Sequence, residues 1–244
     1  MNGWLDPLRG GLDRRDDQVT FFFRDDDAGW DDEALLRLLD IFGDEAAPVD
    51  LAVIPAAIGD DLAKALLDRR EETARRLRFH QHGFRHVNHE ETGRKCEFGD
   101  SRGRAEQRGD IAAGRARLVE LFGGSLDPFF TPPWNRCTQV TVEVLSDLGF
   151  AALSRDATAA ALALAGLAEV PIDVDWARQE HPRGTGLAAV GARLADAIAR
   201  RPVVGVMLHH ARLGEEDARA LRDLLRVLAR HPNARLANLG DALG

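Results

Sequence analysis

Cysteine is scarce in this chain: only Cys96 and Cys137 occur. They form no C-x-x-C pair, and two thiols cannot build a disulfide framework, so both are expected to be reduced and incidental. Long apolar runs are missing as well. No stretch approaches the roughly 18 residues that mark a membrane span. The opening residues, MNGWLDPLRGGLDRRDD, hold no apolar core and no small-residue cleavage site. They do not read as a secretory signal, and the expected compartment is the cytoplasm. Basic residues do not dominate. Lys and Arg number 32 against 40 Asp and Glu, for a net charge of -8. Nucleic-acid binders usually carry a basic face, so this balance argues against that partner. It also disfavours a polyanionic substrate, unless charge is segregated locally. No Gly/Ser/Pro-rich linker divides the chain and no short repeat recurs, so one domain over 1–244 is expected.

What remains is ordinary globular material, 45% hydrophobic and 30% charged, enough for a sizeable core. Apolar runs alternate with helical patterns from end to end. Strands are expected at Val19–Phe23, Val49–Ile54, Leu77–His82, Asp127–Thr131, Phe150–Leu153, Glu169–Val174 and Val203–Leu208, with a short last one near Arg235–Leu239. Helices are expected at Asp31–Phe42, Asp60–Arg76, Arg104–Phe122, Val140–Leu148, Leu187–Ala199 and Glu215–Ala229. Asp31 or Asp32 can cap the first. Ala157–Leu167 reads as helix or loop. Seven or so strand-helix units argue for a parallel sheet with outer helices, either an open doubly wound sheet or a barrel.

Polar residues gather where these strands end. Arg24-Asp25-Asp26-Asp27 follows the first strand, and His80, His82 and His86 end or follow the third. Pro132-Pro133-Trp134, Asp173 with Asp175, and His209-His210 close three others. Sites in parallel α/β folds form at this end. Three adjacent carboxylates repel one another; they could sit in a solvated turn or cap a helix, but a divalent cation would remove the repulsion. Of eight histidines, four lie in HQHGFRHVNH. His82 and His86 would share a face if their segment is a helical turn, and His86 with His89 is the rival pair. Two His and one Asp suit catalytic zinc with a position left for water, and suit non-haem iron equally. Glu90 to Arg102 is a polar insert expected to cover the mouth of the barrel, with Glu97 and Asp100 accepting substrate hydroxyls; a disordered surface loop is the alternative.

Together these motifs resemble the polysaccharide deacetylase family, carbohydrate esterase family 4, also called the NodB homology domain. The resemblance runs from about Phe21 to His210. It implies a distorted (β/α) barrel of about seven parallel strands. Aligned with the family's T-F-D-D-G, Arg24–Asp27 makes Asp26 the general base and Asp27 a metal ligand; a one-residue slip would pass these roles to Asp25 and Asp26. His82-Gly83-Phe84-Arg85-His86 matches H-(S/T)-x-x-H, which implies His82 and His86 as the other ligands. Thr131-Pro132-Pro133-Trp134 resembles R-P-P-Y without its arginine, and Arg24 or Arg136 is expected to substitute. Arg136 is also a candidate substrate contact. The position of Trp134 implies a backbone N–H donor to the oxyanion. His209 corresponds to the general acid, with Asp173 or Asp175 orienting it and His210 as the fallback.

The implied activity is metal-dependent hydrolysis of an N-acyl bond, with Zn²⁺ as the expected single cation. The expected substrate is an N-acetylated saccharide or a small N-acyl compound. An allantoinase-like amide hydrolase of the same superfamily, an iron oxygenase and an inactive glycan-binding barrel are the alternatives.

Overall fold

The computed structural model describes residues 3–177, 180–182 and 184–243. Its strands are β1 (Val19–Ala28), β2 (Val49–Val53), β3 (Leu77–His82), β4 (Leu126–Thr131), β5 (Ala152–Leu153), β6 (Ala168–Glu169), β7 (Val174–Asp175), β8 (Glu180–His181), β9 (Gly184–Thr185), β10 (Val203–Leu208) and β11 (Ala234–Leu236). The helices are α1 (Asp6–Leu12), α2 (Asp32–Asp44), α3 (Asp60–Glu72), α4 (Arg104–Phe122), α5 (Gln139–Asp147), α6 (Gly186–Ile198) and α7 (Glu215–Arg230). The main sheet runs β6-β5-β4-β3-β2-β1-β10-β7, with β11 added beside β1. Every pairing in it is parallel.

One segment closes this sheet into a distorted (β/α) barrel. Ala168–Glu169 pairs with β5, and Ile172 still donates to Arg155 O. Asp173 then donates to Gly205 O, and Val174–Asp175 pairs with β10. The single strand expected at Glu169–Val174 is thus two short ones, because the chain changes partner midway. β8 and β9 form a small antiparallel hairpin outside the barrel.

Strand alternation sorts the side chains. Phe21, Phe23, Leu51, Val53, Phe79, Val204, Val206 and Leu208 are buried in one cluster with α2, α6 and α7 residues. Phe22, Phe129, Ala152, Ile172 and Met207 form a separate cluster inside the barrel. Gly205 belongs to the inward face. A Cβ there would collide with the Phe22 ring and the Pro171 carbonyl, so the close approach of β10 requires glycine.

Asp31 caps α2, accepting from Ala34 N at 3.3 Å. α3 stops at Glu72 rather than Arg76, since Ala74 and Arg75 both turn left-handed. Residues 157–167 contain no helix. α1 lies in a segment, DPLRGGL, where the sequence pattern places no element. Buried Leu5, Leu8 and Leu12 hold it in place, and Pro7 occupies the start of the helix, where proline is tolerated. No helix of the described residues is long and apolar enough to cross a membrane.

Candidate metal centre

β1 does not end at Phe23; it carries Arg24, Asp25, Asp26 and Asp27 within it. Plain alternation would send Asp26 and Asp27 to opposite faces. The pairing with β2 shifts register between Asp25 and Ala28, and Asp27 takes φ 72°. Aspartate tolerates this conformation better than most residues. The local break brings two consecutive carboxylates to one site. Asp25, on the other face, accepts from His210 Nδ1 at 2.7 Å and His210 N at 2.9 Å. His210 Nε2 reaches Trp30 O at 2.6 Å. Burial works against charge on His210, but Asp25 and the Trp30 carbonyl outweigh it and push its pKa up to about 9. His210 is therefore committed behind the site and is not placed to replace His209.

His82 ends β3. The next residues do not form a helical turn. Gly83 (φ 55°) and His86 (φ 57°) fold the chain back instead, and this returns His86 to His82. A side chain at 83 would strike Glu97 and Pro133, which explains glycine where the resembling motif has Ser or Thr. Glu97 is fully buried and accepts from Phe84 N at 3.2 Å and Arg85 N at 2.7 Å. Its acceptors hold this turn, so the structure places it as a brace rather than at the substrate. Asp100 lies exposed on a turn and does not line the neighbouring cleft. The insert is neither a free lid nor a loose loop. Phe98 is buried against Phe130 and bridges to Cys137. Of residues 90–102, Arg94 reaches the cleft.

Asp27, His82 and His86 converge, with one ligand atom from each within 4.8 Å of the others. Asp27 Oδ1 lies 3.2 Å from both His82 Nε2 and His86 Nε2. Neither contact has hydrogen-bond geometry, and this buried oxygen has no partner among the described residues. His82 Nδ1 donates to Thr131 O at 3.0 Å. In the neutral ring its Nε2 is then a lone pair aimed at a carboxylate oxygen. Two acceptors held face to face need a proton or a cation between them. Burial favours the neutral acid, but His82, His86 and His209 outweigh it and hold Asp27 well below the carboxylate range. Burial, then the charge of His82, depresses His86 to about 4, whereas at His82 Asp27 and Asp26 outweigh burial and raise the pKa, so without a cation a proton on His82 fills the gap to Asp27. The His86 ring sits between Trp134 (4.4 Å) and Trp30 (4.8 Å). The donor set and its orphaned oxygen fit a divalent cation such as zinc. His80 and His89 stand outside this group. His80 is buried against Thr131 Oγ1 at 2.9 Å, and burial followed by Arg24 depresses it to about 3.

Asp26 is clamped by Arg24: Nε to Oδ1 at 2.7 Å and Nη2 to Oδ2 at 2.9 Å. Burial alone would raise its pKa, yet Arg24, His82 and His209 outweigh burial and lower it. The guanidinium also donates to Ser154 Oγ and Asn135 Oδ1, both at 2.7 Å. Of the two arginines expected to substitute for the third-motif arginine, Arg24 and not Arg136 holds Asp26. Arg136 lines the cleft and donates to Lys95 O at 2.8 Å. The decisive signal was in the sequence: residues two apart on a strand share a face.

His209 Nε2 lies 4.0 Å from Asp27 Oδ2. Its Nδ1 has no partner among the described residues. Neither expected orienting aspartate reaches it. Asp173 faces Arg201 at 3.0 Å and Gly205 N at 3.1 Å. Asp175 lines the same cleft as His209 but accepts from Ala177 N at 3.0 Å. Trp134 (φ 56°, ψ 16°) borders that cleft on a left-handed turn.

No protein-family model matches the sequence, and no curated protein matches it. Solved structures do match. A Mycobacterium smegmatis protein assigned to the polysaccharide deacetylases aligns at TM-score 0.65 and 16% identity, over 93% of this chain and 90% of its own. The fold is that of the polysaccharide deacetylases. A family 4 acetyl xylan esterase from Clostridium thermocellum, solved with a cobalt ion, aligns at 0.58 and 15%, over 91% and 89%. A family 4 pseudoenzyme from Bacillus anthracis aligns at 0.61 and 14%, over 94% and 67%.

Proposed function

We propose that this polysaccharide-deacetylase fold works as a metal-dependent N-deacetylase. One observation carries the reading: a buried Asp27 oxygen without a partner, held 3.2 Å from two imidazole nitrogens beside an ionised Asp26. Asp27, His82 and His86 would hold the cation, most suitably zinc. When bound, such an ion polarises an acyl oxygen and lowers the pKa of water.

The chain's own groups supply the rest. Asp26 is fixed by Arg24 and is ionised throughout the neutral range, so it can accept a proton from water. The Trp134 backbone N–H is assigned to the oxyanion of the tetrahedral intermediate. His209, just past the end of β10 on the other side of β1, donates to the departing amine. The substrate class is an N-acetylated saccharide or a related small N-acyl compound. Of the alternatives, the inactive barrel rests on the absent third-motif arginine, and the Arg24 clamp on Asp26 speaks for the active reading.

Metal analysis of the purified protein, joined to acetate release from a panel of N-acetylated sugars, tests this. One divalent ion per chain and chelator-sensitive acetate release are expected. Failure to bind zinc, cobalt or nickel, with intact folding, would overturn it.

A further inference from the structure

The chain carries a net charge of -8, yet the cleft beside His209 and Trp134 is basic. This cleft, ≈ 490 Å³, is lined by Arg94, Arg136, Arg155 and Arg212 against only two acids, Asp156 and Asp175. Some of these charges already have partners. Arg155 pairs with Glu169 and donates to Ala160 O. Asp156 accepts from Thr158 N and Oγ1. Arg94 and Arg212 are different: both are exposed, and neither meets a carboxylate among the described residues. Exposed arginines that meet no carboxylate among the described residues occur elsewhere too, Arg14, Arg200 and Arg230 among them, but Arg94 and Arg212 both line this one cleft. Two arginines left uncompensated at one cleft, in an acidic protein, form a local positive field. A guanidinium there matches a carboxylate or phosphate with paired N–H donors.

We infer that the N-acyl substrate carries an anionic group, carboxylate or phosphate, received by Arg94 and Arg212 while the acyl end meets the metal centre. This rests on the hydrolase reading for its acyl end, but the anion site itself is independent of turnover. Uncompensated positive charge would also draw the substrate in from solution, an effect that weakens with salt.

The test compares N-acetylglucosamine with N-acetylglucosamine 6-phosphate and N-acetylmuramic acid. One acidic sugar should exceed the neutral one in kcat/KM by about tenfold or more, as charge-assisted hydrogen bonds allow. Arg94→Glu and Arg212→Glu should each shrink that ratio, and so should salt. The better acid, phosphate or carboxylate, identifies the group. Calorimetry with the products glucosamine 6-phosphate and muramic acid reads the same site without chemistry. Binding of one product that is lost in Arg212→Glu supports the inference even if no sugar is hydrolysed, an outcome that would count only against the hydrolase. Equal handling of acidic and neutral sugars, or a preference untouched by both substitutions, would overturn the inference with the hydrolase intact. Absence of binding by either product would overturn it as well.

Discussion

Asp26 and Asp50 lie on neighbouring strands, β1 and β2, and burial presses on both in the same direction. Each is withdrawn from water, which favours the protonated acid. Asp26 nevertheless falls below its ordinary pKa because Arg24 grips both oxygens, with His82 and His209 adding to the effect. Asp50 has only neutral donors in hydrogen-bond contact. Leu239 N at 2.8 Å and the Asn238 amide at 3.3 Å serve one oxygen, and the other has no partner. Burial wins there, helped by Asp127 and only partly offset by those donors and Arg78, and Asp50 rises to about 7. At Asp50 two neutral donors on one oxygen do not offset burial, whereas at Asp26 the Arg24 guanidinium on both oxygens does. Asp26 has such a cation on both oxygens, and Asp50 has none in hydrogen-bond contact.

The largest effect should come from removing the charge that this arrangement maintains. Asp26→Asn should retain the metal, since Asp27, His82 and His86 remain, yet lose about 10²–10⁴-fold in turnover. Full turnover in this variant would place the base elsewhere. Removing the cation instead tests the other half of the pair. Arg24→Met leaves Asp26 buried without compensation, which should destabilise the fold by about 3–5 kcal/mol in chemical denaturation. In whatever fraction folds, the Asp26 pKa should rise, so the acidic limb of the pH–rate profile should move to higher pH. An unmoved limb would separate Arg24 from the base.

Much of this was legible in advance, for identifiable reasons. The strands from Val19, Val49 and Val203 show as apolar runs, because strands of a parallel sheet are covered on the outside by helices. The histidine cluster and the three aspartates were visible as crowding that packing does not explain. What sequence could not show was re-aiming. The register break at Asp27 depends on β2, and the return of His86 depends on Gly83 and on a glutamate at position 97. Glu97 looked functional by position, yet both its oxygens accept from nearby backbone N–H groups; Asp175 gives one oxygen to Ala177 N and still lines the cleft. Such pairing is set by tertiary approach, which local pattern does not encode.

Glu97 gives a smaller perturbation of the same comparison, since burial raises its pKa and backbone N–H groups only partly offset this. Glu97→Ala should destabilise by about 1–3 kcal/mol by orphaning Phe84 N and Arg85 N. It should also weaken metal affinity, by about 10–100-fold if the brace matters as a ligand-orienting group does. KM at saturating metal should change little. A large rise in KM with unchanged metal affinity would restore Glu97 as a substrate contact. Asp100→Ala, at an exposed turn, should change none of these.

Asp50 offers the clearest sign. Its pKa is about 7 in the folded protein and about 3.9 in an unfolded chain. Between these values the folded state holds a proton that the unfolded state has released. Stability due to this group is therefore greatest below about pH 4, falls as pH rises toward 7, and is constant above that. Asp50→Asn carries no titrating group and resembles the protonated acid, with its carbonyl still able to accept from Leu239 N. Below pH 4 the variant should match the parent or be weaker, because its NH₂ enters the place of the unpartnered oxygen. As pH rises from 4 to about 7 the difference should move in the variant's favour by on the order of 3 kcal/mol, at no more than about 1.4 kcal/mol per pH unit. Urea denaturation of both proteins at pH 5, 6, 7 and 8 reads this as a slope, so any constant packing penalty cancels. A parallel pair of stability curves would mean that Asp50 is already ionised at pH 5. In that case Arg78, near Asp127 at 3.4 Å, would be doing for Asp50 what Arg24 does for Asp26.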